Sequence, residues 1–302
     1  MTGPAVIAVV GPTAAGKSAL SLALAHRLGG EVVNADSMQL YRGMDIGTAK
    51  LTSAEREGVP HHVLDIWDVA EPASVAAYQE IARAAIDDIH ARGRVPLLVG
   101  GSGLYVRAVL DEFEFPGTDP ALRAALEAEL AALGPEPLHA RLAARDPVAA
   151  GRILPTNGRR IVRALEVIAL TGGPFTAVLP EPRPYYRSLQ VGVDLDPAAL
   201  DARVDLRVDH MWAAGLVHEV RGLPGMGITA GRALGYQQVL RFLAGEWTED
   251  EAKAETKRAT RRFVRRQRSW FRRDPRIRWY DAAAPGLVDE TVGAAAEFLS
   301  VS

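Results

Sequence analysis

Short runs of nearly continuous Val, Ile and Leu alternate along the chain with longer stretches in which apolar residues recur at helical spacing. The runs are "AVIAVV" (5–10), "EVVNAD" (31–36), "PLLVGG" (96–101) and "QVGVDL" (190–195). Runs this short and uninterrupted predict strands buried on both faces of a parallel sheet, and residues 17–28 and 73–91 predict the helices between them. From about 116 to 171 the strand signal vanishes and Ala, Leu and Arg dominate. Helices there start at Asp119-Pro120 and Asp146-Pro147, where Asp supplies an acceptor for orphan amides and Pro a preset φ. The same pair at Asp196-Pro197 opens a helix to about Val220, whereas Asp274-Pro275 is followed by the strand-like "RIRWYD". Residues 171–187, rich in Gly and Pro, predict the return connection. The expected organisation is an α/β core, a parallel sheet flanked by helices, over 1–115 and 188–302, with an all-helical insert over 116–187.

Composition adds limits. The 302 residues are 48% hydrophobic and 24% charged, enough for a core of their own. Cysteine is absent, which excludes disulfides, thiolate zinc sites and cysteine nucleophiles and agrees with a reducing compartment. No apolar run is long enough to span a bilayer, so a cytoplasmic protein with no membrane association is expected. The net charge of −2 is unevenly spread. Residues 253–278 hold two Lys and ten Arg against Glu255 and Asp274, which leaves the remainder about twelve charges negative. That imbalance predicts a local polyanion site on an acidic body.

Gly11, Pro12, Thr13, Ala14, Ala15, Gly16, Lys17 and Ser18 form G-x-x-x-x-G-K-S between a predicted strand and a predicted helix. The glycines let backbone amides face an anion, Lys17 adds a mobile positive charge, and Ser18 can ligate Mg²⁺. Such a loop identifies a polyphosphate without saying which. In nucleotide hydrolases a second strand usually ends in a metal-holding Asp. Here "PLLV" runs instead into Gly100, Gly101 and Ser102. The acid, Asp36, stands at the end of "EVVNAD", so Asp36 and Ser102 are expected to converge over the loop. In "KRATRRFVRRQRSWFRR" (257–273), Arg258, Arg262 and Arg266 form one row and Lys257, Arg261 and Arg265 another. With almost no acids between them, the rows predict a cationic stripe suited to a phosphate backbone.

"GPTAAGKS", "NADSMQLYRGMDIGTAK", "HHVLDI", "GGSGLY", "RRIVRALEV", "GRALGYQQ" and "RRQRSW", in this order, resemble the tRNA dimethylallyltransferase (tRNA isopentenyltransferase) family from about Val6 to Trp270. The resemblance implies a fold like that of P-loop nucleotide hydrolases. It also implies transfer of a dimethylallyl group from dimethylallyl diphosphate to the exocyclic amino group of the adenosine just 3′ of the anticodon. On that reading residues 11–18 hold the diphosphate with Mg²⁺, Asp36 is the general base, and Ser37, Met38 and Gln39 help hold the base. Ser102 stands where the family more often has Thr and keeps the hydroxyl. By the same resemblance Arg123, Arg159, Arg160 and Arg163 of the insert meet the tRNA anticodon stem-loop. Arg232, Tyr236, Gln237, Arg265, Arg266, Gln267 and Arg272 meet it from the core. Eukaryotic members add a zinc finger that this cysteine-free chain cannot form, and His61-His62 is no substitute, so no zinc is expected. Nothing implies an obligate interface, so a monomer is expected. A small-molecule P-loop kinase, and an RNA-binding or ATPase module in which Asp36 is incidental, are the alternatives.

Overall fold

The computed structural model describes residues 4–176 and 181–301, so residues 177–180 of the Gly/Pro-rich connection lie outside the described residues. The chain divides into two compact units, residues 1–112 with 183–302, and residues 113–182.

The first unit begins with β1 (Ala5–Val10), α1 (Lys17–Leu28), β2 (Gly30–Asn34), a two-residue β3 (His61–His62), α2 (Val75–Ala91), β4 (Val95–Gly100) and α3 (Gly103–Leu110). The second unit holds α4 (Pro120–Leu133), α5 (Pro135–Arg145), α6 (Pro147–Arg152) and α7 (Gly158–Thr171). The first unit resumes with β5 (Arg187–Asp194), α8 (Pro197–Ala213), α9 (Leu216–Gly222), α10 (Tyr236–Leu243), α11 (Glu249–Phe271), β6 (Ile277–Asp281) and α12 (Leu287–Ser300).

The six strands are all parallel in the order β3-β2-β4-β1-β5-β6. Side chains alternate between the faces of a strand, so Val6, Ala8 and Val10 join one buried cluster while Ile7 and Val9 join another on the opposite face. Both faces are covered by helices, which is why the strands read as unbroken apolar runs. After β1 the chain skips a place to β2 and later fills it with β4, whereas β5 and β6 extend the sheet the other way. The order therefore reverses at β1, and the carboxyl ends of β1, β2, β4 and β5 lie along one edge of the sheet, where open parallel sheets gather ligands.

Asp119, Asp146 and Asp196 accept amides of the first turns of α4, α6 and α8, as Asp-Pro predicts. Asp274 instead accepts the Arg276 amide and guanidinium in the turn before β6. The single helix expected to reach Val220 is interrupted at Gly215, which takes φ 98°, and α9 begins beyond it. β3, an edge strand of two residues, is too short to leave a periodic signal.

The second unit has its own core of Leu126, Leu138, Leu142, Ile153, Ile161 and Leu165. Within it Glu166 is fully buried, accepting from Arg123 at 2.6 Å and from Arg163 at 2.8 Å, and Arg163 also donates to the carbonyls of Pro116 and Gly117. A buried carboxylate requires such partners, so these two arginines brace the unit. Both side chains stay partly exposed, at 34% and 26%, and their assignment to RNA remains a proposal.

Candidate active site

The loop after β1 adopts backbone angles that explain its residues. Gly11 has φ 142°, and a Cβ there would lie 2.2 Å from the Val193 carbonyl oxygen of β5. Gly16, at φ 95°, precedes α1 with no side-chain cap, which leaves the first-turn amides available to an anion. Lys17 Nζ donates to the Pro12 carbonyl at 2.8 Å. The residue is half-buried. Burial lowers its pKa from 10.5 to about 8, with Asp36 opposing the shift and Arg207 adding to it.

Asp36 follows β2. Asn34, buried, accepts the Asp36 amide through Oδ1 and donates through Nδ2 to the carbonyls of Asp36 and Val63. Asp36 Oδ1 accepts the Met38 amide at 3.0 Å, a turn that fixes the carboxylate and leaves Oδ2 outside it. Ser102, after β4, accepts the Ser37 amide at 3.0 Å and donates to Ser37 Oγ at 3.1 Å. The structure thus joins Ser102 to Ser37 beside Asp36, and the electrostatic influence of Asp36 reaches Lys17.

Two cations at this site escaped the sequence reading. Arg207 of α8 donates to the Thr48 carbonyl at 3.2 Å, and its pKa is lowered by burial against the opposing effect of Asp36. One turn earlier, Arg203 Nη1 comes within 3.9 Å of where a Cβ on Gly16 would sit. Asp201, Asp205 and Asp209 lie two positions away on the same helix and therefore face roughly the opposite direction. They meet α11: Asp201 pairs with Arg265 at 2.9 Å, Asp205 with Arg261 at 2.7 Å, and Asp209 with Lys253 and Lys257 at 2.8 Å each. The interleaved signs in "LDARVDLRVDH" carried this two-sided pattern.

That ladder revises the cationic stripe. The row of Lys257, Arg261 and Arg265 is matched by acids of a neighbouring helix, which spacing within α11 could not reveal. Glu255 takes Arg258 and Arg262, and Asp194 at the end of β5 takes Arg268 and Arg272 at 2.9 Å each, with Arg272 also over the Trp279 ring. Arg266 and Arg273 have no acid within salt-bridge distance among the described residues. With Arg265, Ser269 and Trp270 they line a surface hollow of about 370 Å³.

Gln39 donates to the carbonyls of Thr48 and Ala49, and half-buried Met38 packs on a core cluster, so both side chains support the loop that carries Asp36 and Ser37. Tyr236 is fully buried and donates to Glu219, whose carboxylate also accepts the amides of Asp45, Ile46 and Gly47. A Cβ on Gly47 would lie 2.3 Å from the Tyr236 ring. "GRALGYQQ" therefore supports "MDIGTAK" from behind, and the assignment of Tyr236 to RNA is corrected. Gln267 is 6% exposed and accepts the Thr13 amide, so neither Gln267 nor that amide is presented to a ligand. Arg159, Arg160, Arg232 and Gln237 are exposed. His61 bonds the Val59 carbonyl and His62 bonds Glu31.

A testable consequence attaches to Lys17. An ammonium with pKa about 8 holds its charge below that pH and loses it above. Affinity for inorganic pyrophosphate is expected to fall as pH rises through about 8, approaching tenfold per pH unit by proton linkage. In Lys17→Arg, whose guanidinium stays charged, that fall disappears. Calorimetric titrations across this range check it, and equal slopes for the two proteins would remove Lys17 as the titrating group.

Against known proteins, residues 39–274 match the family model described as IPP transferase. The chain is 77% identical over 293 residues to the tRNA dimethylallyltransferase of Salinispora arenicola, covering 96% of this chain and 86% of that one. Among solved structures it resembles the tRNA isopentenylpyrophosphate transferase of Bacillus halodurans, with TM-score 0.73, 40% identity and coverage of 98% and 97%. It also resembles a eukaryotic dimethylallyltransferase acting on tRNA, with TM-score 0.83, 27% identity and coverage of 98% and 79%.

Proposed function

We propose that this chain, which belongs to the IPP transferase family, transfers a dimethylallyl group from dimethylallyl diphosphate to the exocyclic amino group of the adenosine 3′-adjacent to the anticodon in tRNA. The observation that carries the reading is the placement of Asp36, a carboxylate fixed by its own turn, within electrostatic reach of two half-buried cations at a phosphate-binding loop. A phosphate loop alone fits a kinase equally well. Ser102 in place of an acid after β4, and a base beside the anion site, fit displacement of a diphosphate better.

The adenine amino group is a poor nucleophile because its lone pair is delocalised. As nitrogen attacks the allylic carbon, the carbon–oxygen bond breaks and its electron pair leaves on the diphosphate, where Lys17, Arg207, Arg203 and the first amides of α1 stabilise the growing charge. The amino proton passes to Asp36. Ser102 and Ser37 hold the approach to Asp36, and an extruded loop base gives up its stack to reach them. Mg²⁺ would be held here by the exposed Ser18 hydroxyl at the start of α1 with oxygens brought by the substrate, a hydroxyl being a donor such a hard cation accepts; among the described residues no group of three His, Asp or Glu could hold a metal unaided. When bound, it supplies further charge stabilisation to the leaving group. Among the described residues no helix is long and apolar enough to cross a membrane. A monomer working in the cytoplasm is part of the proposal.

For the RNA, the hollow on α11 offers unpaired guanidinium groups and a Trp face, and α7 offers the exposed Arg159. Arg266→Ala with Arg273→Ala is expected to weaken tRNA binding about tenfold and to lower the salt dependence of log Kd by about two. Arg261→Ala, which breaks a ladder pair, should leave that slope unchanged. Binding isotherms at several salt concentrations separate the two, and an unaltered slope in the double variant would move the RNA contact elsewhere. Titration with dimethylallyl diphosphate and with ATP tests the donor: the proposal expects binding of the first and no turnover of the second, and sustained phosphoryl transfer from ATP to a small molecule would instead support a kinase.

A further inference from the structure

Gln267 belongs to the basic helix α11 but not to its outward side. Both ends of its carboxamide are engaged: Oε1 accepts the Thr13 amide at 2.9 Å within the phosphate loop, and Nε2 donates to the Gly101 carbonyl at 2.9 Å, immediately before Ser102. A Cβ on Gly101 would lie 2.4 Å from Nε2, so the seat closes tightly around this side chain. One residue therefore spans the loop that follows β1 and the loop that follows β4. Arg266 before it, and Ser269 and Trp270 beyond Arg268, line the outward hollow.

We propose that Gln267 is a positioning residue for the transfer: it sets the spacing between the phosphate loop and the Ser102 turn, and thereby the donor diphosphate relative to Asp36. This rests on the reading of residues 11–18 as a diphosphate site. Thr13 and Gly101 each present a backbone group that needs a partner when buried, and only a side chain with an acceptor and a donor at this distance satisfies both. The helix that faces RNA on one side thus braces the donor site on the other, with Gln267 itself touching neither substrate.

Gln267→Glu and Gln267→Met together test the inference: the ionised carboxylate loses the bond to Gly101 and also sets a negative charge beside the phosphate loop, whereas Met loses both bonds and adds no charge. The ionised carboxylate still accepts from Thr13 but presents no proton to the Gly101 carbonyl, whereas the protonated acid restores both bonds. At neutral pH the variant is expected to bind inorganic pyrophosphate about tenfold more weakly than the parent. Its kcat should fall at saturating tRNA while tRNA affinity stays within about twofold. As pH falls through the carboxyl's titration, the variant-to-parent ratio of pyrophosphate affinities should return toward one. In Gln267→Met, which lacks both contacts, the ratio stays low at every pH. Lys17 beside the phosphate loop, Asp36 beside Ser37, and Asp194 with Arg268 and Arg272 are common to all three proteins and cancel in the ratio. Parent-like tRNA affinity confirms that the variants fold. Absence of pyrophosphate binding by the parent would overturn the diphosphate reading itself. Parent-like pyrophosphate affinity in Gln267→Met, which would leave repulsion by the Glu charge as the whole effect, or a Gln267→Glu ratio that ignores pH, would overturn the inference about Gln267 while leaving that reading intact.

Discussion

Asp36→Asn is expected to bind tRNA and dimethylallyl diphosphate nearly as the parent does, while single-turnover transfer falls roughly 10²-fold or more. The substitution keeps the shape of the side chain and an oxygen to accept the Met38 amide, so the turn that places residue 36 survives. What it removes is the ability to take a proton. Attack by the adenine amino group leaves a cationic nitrogen, and without a carboxylate beside it that proton must go to water, a far weaker base. Rapid quench under single-turnover conditions separates this step from binding and product release. Transfer by the variant at the parent rate would remove Asp36 from the role of base.

Lys17→Met is expected to lower kcat by about 10²-fold and to weaken diphosphate binding as well. Met has nearly the length and volume of the lysine stem, so α1 and its contact with the sheet are retained. The ammonium interacts more strongly with the departing diphosphate than with the intact ester, because negative charge on the bridging oxygen grows as the bond breaks. An interaction of that kind appears in kcat as well as in KM. Steady-state constants with dimethylallyl diphosphate varied at saturating tRNA measure the split. A change confined to KM would mean that Lys17 binds the donor without assisting its departure.

Much of this architecture was written in local pattern. β1, β2, β4 and β5 were legible because strands covered on both faces need apolar residues at every position, and α1 because the phosphate loop must run directly into a helix. Asp119, Asp146 and Asp196 announced helix starts through the same capping chemistry they display in the fold. The position of Asp36 at a strand end, opposite Ser102, followed from where open parallel sheets gather ligands.

The errors came where a partner lies far away in sequence. Arg261 and Arg265 looked unpaired because their acids stand on α8, some sixty residues earlier in the chain. Arg123 and Arg163 hold buried Glu166 between them, a second task that spacing along the chain does not announce. Tyr236 and Gln267 sit in motifs characteristic of the family, yet both turn inward, one to Glu219 and the other to Thr13. A characteristic motif records that a residue is needed at a position, not whether it touches substrate or the frame that holds the substrate. Arg203 and Arg207 went unnoticed because a helix with acids on one side and arginines on the other looks, residue by residue, like an ordinary solvated surface.

The central claim is that the phosphate loop holds a prenyl diphosphate and that the nucleotide reaching Asp36 is a base of tRNA. Incubation of the protein with dimethylallyl diphosphate, Mg²⁺ and unmodified tRNA, followed by digestion and nucleoside mass analysis, tests it directly. The account predicts a mass gain of one dimethylallyl group on the adenosine 3′-adjacent to the anticodon, dependent on the prenyl donor and independent of ATP. Unmodified adenosine at that position, from a protein that binds both substrates, would contradict it.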